Sequence, residues 1–338
     1  MKNFLILLTS IALISCGSNH ITGYSDTSIV TGKIATTFAN TITAADLKEH
    51  LYVIASDEFE GRETGEPGQK KAAEYLKNFY IENDIASPYG GNDYFQAIPT
   101  EHLKPDLNPS ENVVAFIEGS EFPEEIIVIS AHYDHLGMNG DAVYYGADDD
   151  GSGTVAILEI AQAFKNAVIA GNKPKRSILF LHVTGEEKGL LGSKYYTNFP
   201  IFPLENTVTD LNIDMIGRVD ANHTNNPNFV YLIGSDRLST ELHILSEKIN
   251  DRFTQLELDY TYNSEDDPNR YYYRSDHYSF AKNNIPIIFY FNGSHTDYHK
   301  ISDTPDKINY EVLAKRTQLI FYTAWEIANR ENRIEVDK

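Results

Sequence analysis

The chain has 338 residues, 49 of them acidic against 28 basic, and a formal net charge of -21. That balance argues against nucleic acid or an anionic membrane surface as a partner, and a single cysteine rules out an internal disulfide. The length suits one large α/β domain or two small ones, and with no repeat, no second composition shift and no Pro-rich hinge, one domain is the simplest account.

The first residues carry one lysine, an apolar run over residues 4–14 and then Ser15-Cys16-Gly17. The run reads as an export signal, too short to remain as a membrane-spanning helix. It resembles a bacterial lipoprotein signal, although Ile14 is larger than the small residue usual at that place. The resemblance implies a signal peptide over residues 1–15 and lipid on Cys16. It also implies a cell-envelope location, on the periplasmic side of the outer membrane, with contact to the membrane through the lipid only. Residues 16–43, rich in Ser, Thr, Asn and Gly, read as a tether, and residues 44–338 as the catalytic domain.

Helical spacing covers residues 44–56 (Leu47, Leu51, Ile54) and 68–83 (Ala72, Ala73, Leu76, Phe79). Between them lies Asp57-Glu58-Phe59-Glu60-Gly61-Arg62-Glu63-Thr64-Gly65. Residues 112–118 and 125–131 then read as neighbouring strands joined by a turn around Gly119. The β-branched run at 126–129 leads to His132-Tyr133-Asp134. A loop follows to Gly146-Ala147-Asp148-Asp149-Asp150-Gly151-Ser152-Gly153, with a helical pattern from Val155.

Ligands of open α/β sheets sit beyond the carboxyl ends of the strands, and imidazole with carboxylate is a metal-ligand set. Asp148–Asp150 are also what a solvated turn with a helix cap would show. His132 and Asp134 share a strand face, so the carboxylate can orient the ring.

Residues 176–184 form another buried strand, in which His182 reads as a core histidine. The strand ends at Glu186-Glu187, whose side chains diverge, so that one can bind a metal while its neighbour faces water. Charge pairs also commonly start helices. Residues 207–215 carry Asp214 near a strand end, where a buried carboxylate needs a partner. A strand at 229–233 and a helix near 238–253 follow. Tyr271-Tyr272-Tyr273-Arg274 then precede a helix with Ser275 as the expected N-cap. A strand at 285–291 leads to His295 and His299, which are either surface loop histidines or strand-end ligands, and residues 310–328 form a closing amphipathic helix. Strand ends and one loop thus supply donors for two divalent metals. His132 and Asp214 serve one, Glu187 and His299 the other, and Asp149 bridges them.

The motifs HYDHLG, GADDDGSG, TGEEKGLLGS, LNIDMIGR, RSDHYSFAKNNIP and DYHKISDTPDKI, with the upstream SDEFEGRETGEPGQKKAAEYL, resemble the co-catalytic dizinc aminopeptidases. These are relatives of bacterial leucyl aminopeptidase, glutamate carboxypeptidase II and the glutaminyl cyclases. The resemblance runs from about residue 47 to 328. It implies an α/β fold, with a mixed, mainly parallel twisted sheet sandwiched between helices in a single domain. It also implies two zinc ions per chain on the five ligands above, Glu186 as general base, Asp134 as partner of His132, and a cis bond between Asp149 and Asp150. Residues 85–111 are too few for the domain that many relatives insert there.

The expected activity is hydrolysis of peptide bonds, most simply by an aminopeptidase acting on short peptides. Arg274 and Tyr272 are the substrate-binding candidates, with the tyrosine-rich loop as an apolar wall. A glutaminyl cyclase would usually lack the first histidine, here His132. A carboxypeptidase would need several cations, where only Arg274, Arg218 and Lys300 lie near the motifs. A binding protein that had lost its metals would show substituted ligands.

Overall fold

The computed structural model describes residues 28–338; Cys16 and the expected signal lie outside them. The helices are α1 (Lys33–Ala39), α2 (Ala44–Ile54), α3 (Pro67–Glu82), α4 (Gly153–Ile169), α5 (Leu191–Asn198), α6 (Thr240–Ile249), α7 (His277–Ala281) and α8 (Tyr310–Asn329). The main strands are β1 (Phe95–Ile98), β2 (Ser110–Ile117) and β3 (Phe122–His132). After a small hairpin of β4 (Met138–Asn139) and β5 (Ala142–Val143) come β6 (Arg176–Val183), β7 (Thr207–Ile213), β8 (Phe229–Ile233), β9 (Glu257–Asp259) and β10 (Ile287–Phe291).

Eight strands form one sheet in the order β1-β2-β6-β3-β7-β10-β8-β9. Its centre, β6-β3-β7-β10, is parallel, while β2 and β8 run antiparallel to their neighbours β6 and β10. Central strands covered on both faces read as continuous apolar runs, and β3 shows why. Ile127, Ile129 and Ala131 pack into the larger core with α4 and α8, while Ile126 and Val128 pack on the opposite face with Tyr196 and Phe280. The mixed, mainly parallel sheet between helices is the expected fold.

Three local expectations change. First, β2 and β3 are not neighbours, because β6 lies between them and pairs with both. The turn at Gly119 carries the chain over the start of β6. A Cβ there would meet the Lys175 carbonyl oxygen at 2.4 Å, so only glycine allows the crossing. Second, part of the stretch read as a tether is packed: α1 buries Ala35, Phe38 and Ala39, and Phe38 stacks on Trp325. The Glu326 carboxylate accepts the Thr31 backbone N–H at 2.8 Å and its hydroxyl at 2.7 Å, which ties the start of this segment to α8. Third, Ser275 does not cap α7; its hydroxyl is turned towards Asp214 instead. Among the described residues no helix is long and apolar enough to cross a membrane.

Candidate metal centre

Parallel pairing brings the carboxyl ends of four adjacent strands to one level. His132 is in register with Val183 of β6, Ser130 with Asn212 of β7, and Ile213 with Tyr290 of β10. His132 closes β3, Asp214 follows β7, Glu186 and Glu187 follow β6, and His299 lies in the loop after β10. The Gly146–Ser152 segment folds over these ends and presents Asp149 to them.

Asp149 stands between two clusters. His132 Nε2 lies 3.2 Å from Asp149 Oδ1 and 3.7 Å from Asp214 Oδ1. On the other oxygen, His299 Nε2 lies 3.0 Å from Asp149 Oδ2 and 3.2 Å from Glu187 Oε1. The five expected ligand residues therefore converge. The sequence reading missed His135, a fully buried ring whose Nδ1 lies 3.0 Å from Glu187 Oε1 and 3.8 Å from Asp149 Oδ2. Its signal was present in the HYDHLG motif, but a histidine three residues past a strand end has no face that periodicity can assign.

The donor set fits a cation. His132 Nε2, both ring nitrogens of His135, Asp149 Oδ2 and Glu187 Oε1 are buried with no hydrogen-bond partner among the described residues, a costly arrangement unless an ion completes it. Imidazole nitrogen with carboxylate oxygen is a zinc donor set. The electrostatics agree. Burial would push His132 and His299 down, but Asp149 with Asp214, and Asp149 with Glu187, raise them. His132 goes well above the ordinary value and His299 to about 10. Burial drives Glu186 the other way, well above the usual carboxylate range, aided by Asp214, Asp276 and Glu187.

The three consecutive aspartates have three different tasks. Asp148 accepts the Gly217 N–H at 2.7 Å and the Asn292 amide at 3.0 Å, and pairs with His295. Asp150 accepts the N–H groups of Gly153 and Met215 at 2.9 and 3.0 Å, and all three aspartates are buried, so the solvated turn with a helix cap is not what forms here. Asp149 alone faces both clusters, and the Asp149–Asp150 bond is cis. His295 is thus a structural partner of Asp148. His182, as expected, is a core histidine, bonded to the Tyr80 hydroxyl at 2.7 Å.

The group that holds the His132 ring differs from expectation. Its Nδ1 lies 3.0 Å from the backbone carbonyl of Asp134, while the Asp134 carboxylate stands 3.8 Å away. That carboxylate is engaged by the Thr64 hydroxyl at 2.7 Å and the Glu186 N–H at 3.1 Å, so it links β3 to the Glu186 turn. Ser275 donates to Asp214 Oδ2 at 2.7 Å and leaves Oδ1 towards His132.

A small pocket opens against the cluster. Asp149, Glu186 and Asp214 line it together with Met215, Phe289 and Phe291, and with Tyr271, Tyr298 and Arg274. Arg274 is exposed and lies over the Tyr271 ring. Tyr272, the expected wall, is not part of this pocket; it lies under Arg237 and against Tyr278 and His277. Residues 271–273 form a 3₁₀ turn, which sends successive side chains in three directions, and only Tyr271 of the three points at the site.

A parallel-centred α/β sheet with unsatisfied imidazoles and carboxylates at its strand ends defines a protein built to hold divalent cations. Residues 112–324 match peptidase family M28, and the chain belongs to that family. A probable leucine aminopeptidase of Trichophyton verrucosum is 30% identical over 241 residues, which cover 69% of this chain and 62% of that protein. A vacuolar membrane protease of Verticillium alfalfae is 41% identical over 85 residues, 25% of this chain and 8% of that protein. The chain therefore spans less than two thirds of these relatives. The LapA aminopeptidase of Legionella pneumophila shares the fold, with a TM-score of 0.70 at 21% identity, over 97% of this chain and 81% of that one.

Proposed function

We propose that the chain is a zinc-dependent exopeptidase, an aminopeptidase that releases the first residue from short peptides. The observation that carries this reading is the Asp149 carboxylate, which offers one oxygen to each of two clusters beside a pocket that Glu186 also lines. Membership of a peptidase family supports it. His132 and Asp214 would hold one zinc, Glu187 and His299 the other, and Asp149 both. The metals supply Lewis-acid activation of the scissile carbonyl and of the attacking water.

The rest is the work of this chain's own groups. Glu186, which burial moves well above the usual carboxylate range, lines the pocket beside the clusters and takes the proton from water, returning it to the leaving amine. Asp134 fixes the Glu186 backbone through its N–H. Asp149, Glu186 and Asp214 give the pocket an acidic end that suits an α-ammonium group. Met215, Phe289 and Phe291 offer apolar surface for the first side chain. Arg274 is the one cationic side chain lining this pocket, too few for a site built around a terminal carboxylate.

The test compares a free-amine peptide with its N-acetylated twin. Cleavage of the free peptide alone is expected; equal cleavage of both would reject amine recognition. An envelope anchor through lipid on Cys16 belongs to the same proposal and is supported by the sequence alone. The wild type should partition with detergent and Cys16→Ser with water; a water-soluble wild type would end that part.

A further inference from the structure

We propose that His135 is a sixth metal-binding residue, which makes the two metal positions unequal. His135, Asp149, Glu187 and His299 would surround one ion, and His132, Asp149 and Asp214 the other. This rests on the dizinc reading above and goes beyond its five ligands.

The geometry carries it. A zinc ion with nitrogen and oxygen donors at about 2.0–2.1 Å in a tetrahedron keeps those donors roughly 3.3 Å apart. Around Asp149 Oδ2 and Glu187 Oε1 the imidazole nitrogens of His299 and His135 stand at 3.0, 3.2, 3.0 and 3.8 Å. A histidine that merely supports a ligand donates one ring N–H to it in line. His135 Nδ1 stands 3.0 Å from Glu187 Oε1 without the in-line geometry of such a bond, and Nε2 has no partner among the described residues. A fully buried imidazole set between two carboxylates, with neither ring nitrogen in a well-formed hydrogen bond among the described residues, can turn a lone pair to an ion.

The surroundings hold the ring at that place. The His135 backbone N–H bonds to the Arg62 carbonyl at 3.0 Å, and Gly137 N–H to the Gly61 carbonyl at 2.9 Å. Glu63 pairs with Lys188, next to Glu187, at 2.7 Å and so joins this segment to the β6 end. Gly146, at φ +52, packs on the ring; a Cβ there would lie 2.5 Å from it. Arg62 grips the Gly146 carbonyl at 2.8 Å from behind. The Gly61-Arg62-Glu63 stretch, singled out in the sequence but given no part in the five-ligand site, is the bracket that presents His135.

Two consequences follow. The position with four protein donors, two of them imidazoles, should fill first and empty last. The position with three keeps more room for substrate.

Zinc K-edge absorption on the stripped chain reloaded with zinc tests this directly, because it counts imidazoles per ion. With one equivalent of zinc, about two imidazoles per ion are expected, and at two equivalents an average of about one and a half. In His135→Gln both counts should fall to about one, and the tighter zinc should be released to a chelator at roughly 10–100-fold lower chelator concentration. The wild-type count stands without any variant, so a poorly folding variant does not remove the test. One imidazole per ion in the wild type at both loadings, unchanged in His135→Gln, would overturn the assignment and leave the dizinc reading intact. A chain that takes up no zinc would overturn both.

Discussion

Arg62 and Asp149 are both buried charged groups, near each other in the fold, and they are treated in opposite ways. Arg62 Nε donates to the Tyr133 carbonyl, Nη1 to Ile54 and Tyr145, and Nη2 to Gly146, all at 2.8–2.9 Å. Every nitrogen of its guanidinium has a protein acceptor. Around Asp149 the converse holds: five nitrogens and oxygens of His132, His135, Asp149 and Glu187 have no hydrogen-bond partner among the described residues. Burying a polar group is tolerable when the protein itself satisfies it. A cluster of orphans persists only when something else completes it. The satisfied arginine is scaffolding and the orphaned cluster is the working site, and the scaffolding fixes the loop on which the site depends.

The sharpest way to break the comparison is at the working side. Glu186→Gln keeps shape and hydrogen bonding but cannot accept a proton, so turnover should fall roughly 10²–10⁴-fold with metal content unchanged. Near-normal turnover in that variant, with zinc measured in the same sample, would reject Glu186 as the base.

A smaller effect is expected on the scaffolding side. Arg62→Met removes the side-chain donor from four carbonyls, of which Gly146 keeps the Gly151 N–H, and should lower unfolding stability by about 3–5 kcal/mol. Since Gly146 is one of them, zinc affinity should fall as well. Urea unfolding of the zinc-loaded protein measures the first effect, and a loss below about 1 kcal/mol would show that the carbonyls find other donors.

At neutral pH the smallest effect belongs to His182, a buried histidine with no carboxylate beside it. Burial lowers its pKa to about 3, against an ordinary value near 6.5 that it regains on unfolding. The folded state therefore resists protonation. The His182 contribution is complete above about pH 6.5 and is lost progressively as pH falls from there towards about 3. His182→Gln removes the titration, so its stability should decline less than the wild type's between pH 7 and 5. Urea midpoints at the two pH values test this; parallel declines would mean that His182 is not held neutral. His132 and His299 differ from it because carboxylates raise them.

Much of this was readable beforehand. Continuous apolar runs marked β3, β6 and β10, because strands buried on both faces read as near-continuous apolar stretches. Chemistry at their carboxyl ends marked His132, Glu186, Glu187, Asp214 and His299, since a sheet of parallel strands gathers those ends on one edge. Local pattern reports which element forms and which way a side chain points along it.

Pattern does not report which element lies next to which. That β6 enters between β2 and β3 was decided by pairing between segments far apart in the chain, and by the glycine that lets the connection cross. Arg62 reaches Gly146 across 84 positions, and no periodicity records such a contact. The same limit hid His135, placed by a bracket from residues 61–63, and favoured Tyr272 over Tyr271, whose directions only the 3₁₀ turn decides. The amino-acid sequence by itself determined the strands and the donors at their ends. The tertiary structure decided which donors meet, because that depends on contacts between distant segments and on the exact turn of irregular backbone.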